Sequence, residues 1–323
     1  MIPSVQAASF AATSEIELVT PYRLDLTVGA LRRMATNPVD VLTEDGRYLR
    51  ALGSHDEPVI VSVSQPRADA LTVSVSGKPG DIEPALKSVI RILGTGCDVS
   101  DFQRRARGIS WLAPLAQRMS GLKPPRYPDL FEACANTIAF QQVSLHAASA
   151  IMRRLVLSLG TVVEFDGVRL SRFPGVESYL GADDAVIRSA GLSAGKAATL
   201  RRIGEAIATG AISEAMLENL PSADAALLLR RIKGIGPWTA AVILLRGLGR
   251  LDVFPGNDSS VAANLQLVAG ERLDAGSVLE KMGPQRGMLY FYLLLARLEA
   301  SRRDRSGIRG RGIAVCGHPC EQA

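Results

Sequence analysis

Two hydrophobic periodicities divide the chain. In its first quarter apolar residues fall at every second position: Tyr22, Leu24 and Leu26 alternate with Arg23, Asp25 and Thr27, and the alternation returns over Val59–Val63 and Leu71–Val75. A period of two puts one face of a strand in a core and the other in water. Asp45-Gly46 stands between Val39–Leu42 and Tyr48–Leu52, a pair suited to a hairpin turn. Leu86, Val89, Ile90 and Leu93 then recur at i, i+3, i+4 and i+7, which predicts a helix. From about Ser100 the strand pattern almost vanishes. Phe131, Ala135, Ile138 and Ala139 mark one helix, Ala147, Ile151, Leu155 and Leu159 the next, and Leu200, Ile203 and Ile207 another. Pro124-Pro125, Pro174-Gly175, Gly191 and Pro221 punctuate them. The expected architecture is a small α+β domain over 15–98 followed by an all-α bundle over 99–300, with flexible ends at 1–14 and 301–323.

Composition narrows the class without naming a chemistry. A chain of 323 residues with 47% hydrophobic and 21% charged residues is long enough for two or three packed domains and argues against general disorder. No apolar run reaches the roughly 18–20 residues that cross a bilayer, and 1–14 lack the basic and apolar stretches of a signal peptide, so a cytoplasmic protein is expected; it is also expected to be a monomer. The net charge of +5 fits a polyanionic partner but does not require one. Arg302, Arg303, Arg305, Arg309 and Arg311 face only Asp304 and Glu321 in the last stretch, a basic tail that suits non-specific attraction to phosphate. Cys316 and Cys320 bracket His318, but three donors on a polar tail fall short of the four a structural zinc takes. No metal and no cofactor are expected.

The most informative segment is Lys233-Gly234-Ile235-Gly236-Pro237-Trp238-Thr239, between two amphipathic stretches. Ser222 is positioned to cap the first, carrying Leu228 and Ile232 inward; Trp238, Ala241, Val242 and Leu245 line one face of the second. Gly234 and Gly236 permit a sharp turn with bare backbone, and Pro237 fits the first position of the following helix. Such a turn leads free N–H groups and the positive end of a helix dipole toward one phosphate, with no base edge touched. It also suits a plain αα-hairpin. Downstream, Asp258 stands at a predicted helix start opened by Pro255-Gly256. It can serve as an N-cap, or as a carboxylate held ionised by the dipole and able to stabilise a sugar cation.

These motifs together resemble the helix-hairpin-helix DNA glycosylase superfamily, and most closely its DNA-3-methyladenine glycosylase II family. The stretches from Tyr127 to Ala133, Ile138 to Leu145, Leu192 to Ala197 and Arg286 to Leu295 are similar to that family in order and content, covering most of residues 100–298. The resemblance implies excision of alkylated purines from damaged double-stranded DNA after the nucleotide is everted. Asp258 matches the catalytic aspartate. Lys233, Gly234, Ile235, Gly236, Trp238 and Thr239 match the phosphate-gripping hairpin, and Trp238 stands where bifunctional relatives carry a lysine, so no strand cleavage is implied. The four-cysteine cluster of some relatives has no counterpart, and no iron–sulfur centre is implied. Gln141 and Gln142 match the turn that fills the gap left by the everted base, although a capping or core amide pair fits them too. Phe140, Trp238, Gln285 and Tyr290 are the candidates for the base pocket. Val242 and Gln285 replace aromatic residues of some members, which keeps open a glycosylase for oxidised or deaminated purines. A DNA-binding protein that uses the hairpin without catalysis is the third reading.

Overall fold

A computed structural model describes residues 5–6, 10–53, 58–256 and 259–311. Strands β1 (Val5–Gln6), β2 (Phe10–Glu17), β3 (Val41–Leu42), β4 (Tyr48–Leu52), β5 (Val59–Arg67) and β6 (Ala70–Ser76) come with helices α1 (Leu24–Arg32) and α2 (Pro79–Leu93). The last five strands form an antiparallel sheet in the order β2-β6-β5-β4-β3. There follow α3 (Ser100–Arg107), α4 (Ala113–Arg118), α5 (Leu130–Ala139) and α6 (Leu145–Leu159), then strands β7 (Val162–Phe165) and β8 (Val168–Ser171). The remainder is helical: α7 (Val176–Leu180), α8 (Asp184–Ser189), α9 (Ala194–Ala208), α10 (Glu214–Glu218), α11 (Ser222–Arg230), α12 (Pro237–Gly247), α13 (Ser259–Ala269), α14 (Ala275–Met282) and α15 (Met288–Arg311).

The α+β layer followed by a helical bundle is thus present, with four local differences from the sequence expectation. Leu24–Arg32 is a helix: Leu24, Val28 and Leu31 at i, i+4 and i+7 are buried, and the alternation over six residues concealed this longer period. Phe10–Glu17 pairs along Ala70–Ser76, so the segment 1–14 is not flexible throughout. The bundle contains a β-hairpin at 162–171 whose turn residues Asp166 and Gly167 have φ of 51° and 72°, the left-handed pair that an Asp-Gly turn supplies. Its Val163, Phe165 and Leu170 cover Leu49, Ala51 and Ile60 on the outer face of the sheet, which is why β4 is buried on both faces. Finally, α15 runs to Arg311 through the first part of the expected flexible tail. Cys316, His318 and Cys320 lie outside the described residues.

The helices divide into two cores. One joins α5, α6, α9, α11 and α12 around Ile138, Leu155, Leu200, Leu229 and Ile243. The other joins α3, α4 and α13–α15 around Phe102, Met119, Leu265 and Phe291, and takes Ala30 from α1. Each buried Leu, Ile or Phe side chain contributes roughly 1.5–3 kcal/mol. Charges hold the seam to the α+β layer. Arg50 on β4 is fully buried and donates to both Asp40 and Glu132, the latter on α5. Arg246, equally buried on α12, donates to the carbonyls of Ala30 (3.2 Å) and Leu31 (3.3 Å) at the end of α1, with its guanidinium 4.8 Å from the Tyr127 ring.

A candidate nucleic-acid interface and cleft

Helices α11 and α12 form the expected helical hairpin, with the first helix rotated from its predicted face. Ala225 and Leu229 point inward, Leu228 is half-buried and Leu227 is 57% exposed. Pro221 occupies the N-cap position, and the Ser222 hydroxyl makes no cap bond. The two glycines of the turn differ in what they require. Gly234 has φ of 105°, and a Cβ there would sit 2.0 Å from Thr199 Oγ1 on α9. Only glycine fits. Gly236 has an ordinary φ of −89° and nothing within 4 Å of a would-be Cβ. It is half-buried. Pro237 starts α12, whose first intrahelical bond is Ala240 N to Gly236 O at 3.0 Å. The N–H groups of Trp238 and Thr239 therefore precede the helical ladder, as at any helix start. Ile235 is buried, whereas Lys233 is exposed and its carbonyl accepts from Arg202 Nη1 at 3.0 Å.

Between α5 and α6 the chain turns through Phe140–Ser144. Gln142 has φ of 52°, a left-handed conformation that a side chain rarely adopts, and is exposed with its neighbour Val143. Gln141 faces the other way: its Nε2 donates to Thr239 Oγ1 (2.7 Å) and to the Gly234 carbonyl (3.2 Å). The two glutamines are therefore neither a core pair nor a cap. One ties this turn to the hairpin, and the other stands out from it. Thr239 is buried, and its hydroxyl oxygen accepts from Gln141 Nε2.

The two turns open onto a cleft of about 800 Å³ between the helical cores. Phe140, Trp238 and Tyr290 line it, together with Val242, Leu294 and Arg33. Gln285 does not. Its Oε1 accepts from Phe102 N (2.8 Å) and its Nε2 donates to Asp98 O (2.6 Å), so both ends of the amide are engaged at the start of α3. Its assignment to the pocket is corrected. Asp258 lies outside the described residues; Phe254 and Pro255 before it in sequence, and Val261 and Asn264 after it, line the cleft. Burial opposes ionisation of the Tyr290 hydroxyl, but the guanidiniums of Arg33 and Arg246 outweigh it and hold the phenol below its ordinary pKa.

Several residues of the site carry no signal in a one-dimensional pattern. Lys196, Thr199 and Arg202 lie at three-residue spacing on α9. The Lys196 ammonium donates to the carbonyls of Ala139 (3.0 Å) and Gln141 (2.7 Å), Thr199 packs on Gly234, and Arg202 holds the Lys233 carbonyl. One helix face thus supports both turns. The spacing was visible, but the targets are backbone atoms about 30 to 60 residues away. Arg33 enters from the α+β layer and was not foreseen at all.

The chain is similar to several known proteins. Residues 135–275 match the model of the HhH-GPD superfamily, described as base excision DNA repair proteins. A DNA-3-methyladenine glycosylase of Bacillus subtilis is 28% identical over 171 residues, 53% of this chain and 56% of that protein. DNA-3-methyladenine glycosylase 1 of Schizosaccharomyces pombe is 33% identical over 132 residues, 41% of this chain and 54% of its own. The chain thus spans about half the length of these relatives. The structure described as a 3-methyladenine DNA-glycosylase from Archaeoglobus fulgidus superposes with a TM-score of 0.74 at 26% identity, covering 88% of this chain and 98% of that one.

Proposed function

We propose that this chain, which belongs to the HhH-GPD superfamily of base excision DNA repair proteins, hydrolyses the N-glycosidic bond of alkylated purines in duplex DNA and leaves an abasic site. The observation that carries this reading is the fastening of the Gln141 turn to the Gly234 carbonyl and Thr239 at the mouth of one aromatic cleft. A duplex held through its phosphates by the hairpin would present its stack to the exposed Gln142 and Val143, and the emptied position would be filled from that turn. The everted base would then enter the cleft, whose volume lies in the range of pockets that enclose a small ligand.

Eversion costs a few kcal/mol, least for a poorly paired base. An N-alkylated purine carries a positive charge, so the electron pair of the breaking C1′–N bond neutralises it and no general acid is needed. Asp258 would stabilise the cation growing on the sugar and align a water. That water's oxygen bonds to C1′, and its proton passes to solvent. Trp238 offers no amine, so no Schiff base forms and the strand stays intact. No described helix is long and apolar enough to cross a membrane.

Purified protein incubated with methylated duplex DNA is expected to release free alkylated base and to resist trapping by borohydride. Asp258→Asn is expected to lower release by about a hundredfold or more while duplex affinity is retained. Tight duplex binding with no release of any base would leave a non-catalytic binding protein and end the proposal.

A further inference from the structure

We infer that Tyr290 works in the cleft as a phenolate, the counter-ion that two buried guanidiniums otherwise lack, and that its charge eases the entry of a cationic base. The inference rests on the base-release reading above and deepens it. Arg33 ends α1 and is 5% exposed, and Arg246 on α12 is fully buried. Both leave Nε and Nη1 without a hydrogen-bond partner. Among the described residues no carboxylate pairs with either, in contrast to the buried Arg50, which has two. Two cations taken out of water with no anion beside them are costly, so an acid close to both is favoured in its charged form.

Tyr290 is the acid so placed. It lines the cleft, and its hydroxyl oxygen accepts from Arg33 Nη2 at a long 3.4 Å, with the Arg246 guanidinium beside it. The direction of its hydrogen bonds sets it apart among the six tyrosines. Tyr22, Tyr179 and Tyr292 donate to the carbonyls of Leu93 (3.1 Å), Ala197 (3.2 Å) and Met119 (3.3 Å), and Tyr48 donates to Asp40 (2.9 Å). A hydroxyl that donates keeps its proton. The Tyr290 oxygen has donors around it and, among the described residues, no acceptor. Its proton leaves to solvent through the cleft, and the electron pair stays on oxygen. Burial pushes the other five phenols up, whereas Tyr290 is drawn down. The remaining titratable groups nearby are Tyr127 ahead of α5 and Arg297 on the cleft wall; Asp258 lies outside the described residues.

The charge changes what the cleft accepts. With the phenol protonated, a cationic alkylpurine meets two unbalanced guanidiniums. With the phenol ionised, one of them is offset, and in a dry cleft that difference is larger than in water. When the C1′–N bond breaks, the positive charge passes from the base to the sugar, still beside this wall. Tyr290 forms no bond and takes no proton from the substrate. It acts through its field.

The test takes two readouts across pH: the near-ultraviolet absorbance of tyrosinate in the free protein, and single-turnover release of 7-methylguanine from methylated duplex. The wild type is expected to show one tyrosine ionising ahead of the ordinary value of about 10, with release rising over the same span. Tyr290→Phe is expected to abolish the early spectral phase and the rise, and to slow release about tenfold above that midpoint. Glu132, whose carboxyl stands at about 8, titrates in both proteins and cancels in the comparison. Arg33→Met keeps the phenol but removes a donor, and should move the spectral phase toward the ordinary value. No early phase in the wild type, or one that survives Tyr290→Phe, overturns the phenolate. An early phase to which release is indifferent overturns its part in the cleft. No release at any pH ends the base-release reading, whereas the spectral phase alone decides whether the phenolate exists.

Discussion

The cleft has two walls, both laced by cations on backbone carbonyls, but a close backbone contact marks one and a buried ion cluster the other. The hairpin wall is fastened by close approach: Gly234 lies against Thr199, and backbone carbonyls of both turns accept from Lys196, Arg202 and Gln141. The seam wall, where α1 ends at Arg33, is fastened by buried charge: Arg246 on the Ala30 and Leu31 carbonyls, and Arg50 between Asp40 and Glu132. A steric fastening fails when an atom is added and ignores pH. An electrostatic one tolerates shape and fails when a partner is removed or changes protonation. The two walls should therefore break under different treatments.

The largest expected effect is on the seam. Arg50→Met keeps the volume of the side chain but leaves Asp40 and Glu132 buried with no cation between them. Removing one partner of a buried ion pair costs about 3–5 kcal/mol, which chemical denaturation at pH 7 would measure. A loss under about 1 kcal/mol would mean that water reaches the cluster and that the seam is not electrostatic. On the hairpin side, Gly234→Ala forces a methyl group onto Thr199 Oγ1 and an L side chain into a left-handed φ. Overpacking and strain together suggest a loss of about 3 kcal/mol. Thr199→Ala in the same chain removes the hydroxyl and should recover part of it; strictly additive effects would show that the two residues do not meet.

The contrast also explains what a reader of the sequence can find. The hairpin was legible because its chemistry is contiguous: two glycines, a proline and the helical periodicities on either side occupy under thirty residues, and each is a rule about the local backbone. Gln141 and Gln142 were found through likeness, but that one faces inward and the other outward depends on φ at 142, which no residue type announces. The seam was illegible. Arg50 and Glu132 are 82 residues apart and Arg33 and Tyr290 are 257 apart, and a buried arginine looks in sequence like any surface arginine. Gln285 shows the converse error. It occupied the right stretch of sequence, but its amide is committed to the first turn of α3. The Asp166-Gly167 hairpin was overlooked for a simpler reason, since four-residue strands are too short to disturb a helical average.

A smaller effect separates the walls by pH. Burial, with Asp129 and Asp40 close by, pushes the Glu132 carboxyl up from 4.5 to about 8 in spite of Arg50. An acid whose folded pKa is raised binds more protons folded than unfolded between those values. Its stabilising contribution is whole below pH 4.5 and is lost as pH rises to about 8. Within that window the slope is roughly 1 kcal/mol per pH unit. Glu132→Gln removes the titration and should flatten the slope between pH 5.5 and 7.5, measured by denaturation at each. Gly234→Ala should leave the slope as in the wild type. A slope unchanged by Glu132→Gln would place the pH dependence elsewhere in the molecule.

The smallest effect on folding belongs to Gly236, and it is the one that bears most directly on DNA. Its φ of −89° suits any residue and no atom of the described residues lies within 4 Å of a Cβ, so Gly236→Ala loses only the mild preference of a helix N-cap for glycine over alanine, under about 1 kcal/mol. The glycine is then unexplained by the fold alone. If the open side is where a phosphate meets the N–H groups that start α12, a methyl group holds the duplex off by its own radius. Affinity should fall for every duplex by the same factor, damaged or not, because the contact carries no sequence. Titration of labelled intact and abasic duplexes at several salt concentrations would measure this beside the melting temperature. Normal affinity in a normally folded variant would move the phosphate grip away from this turn. A loss confined to the damaged duplex would mean that position 236 acts through the cleft it lines, where only an everted nucleotide could feel the added carbon.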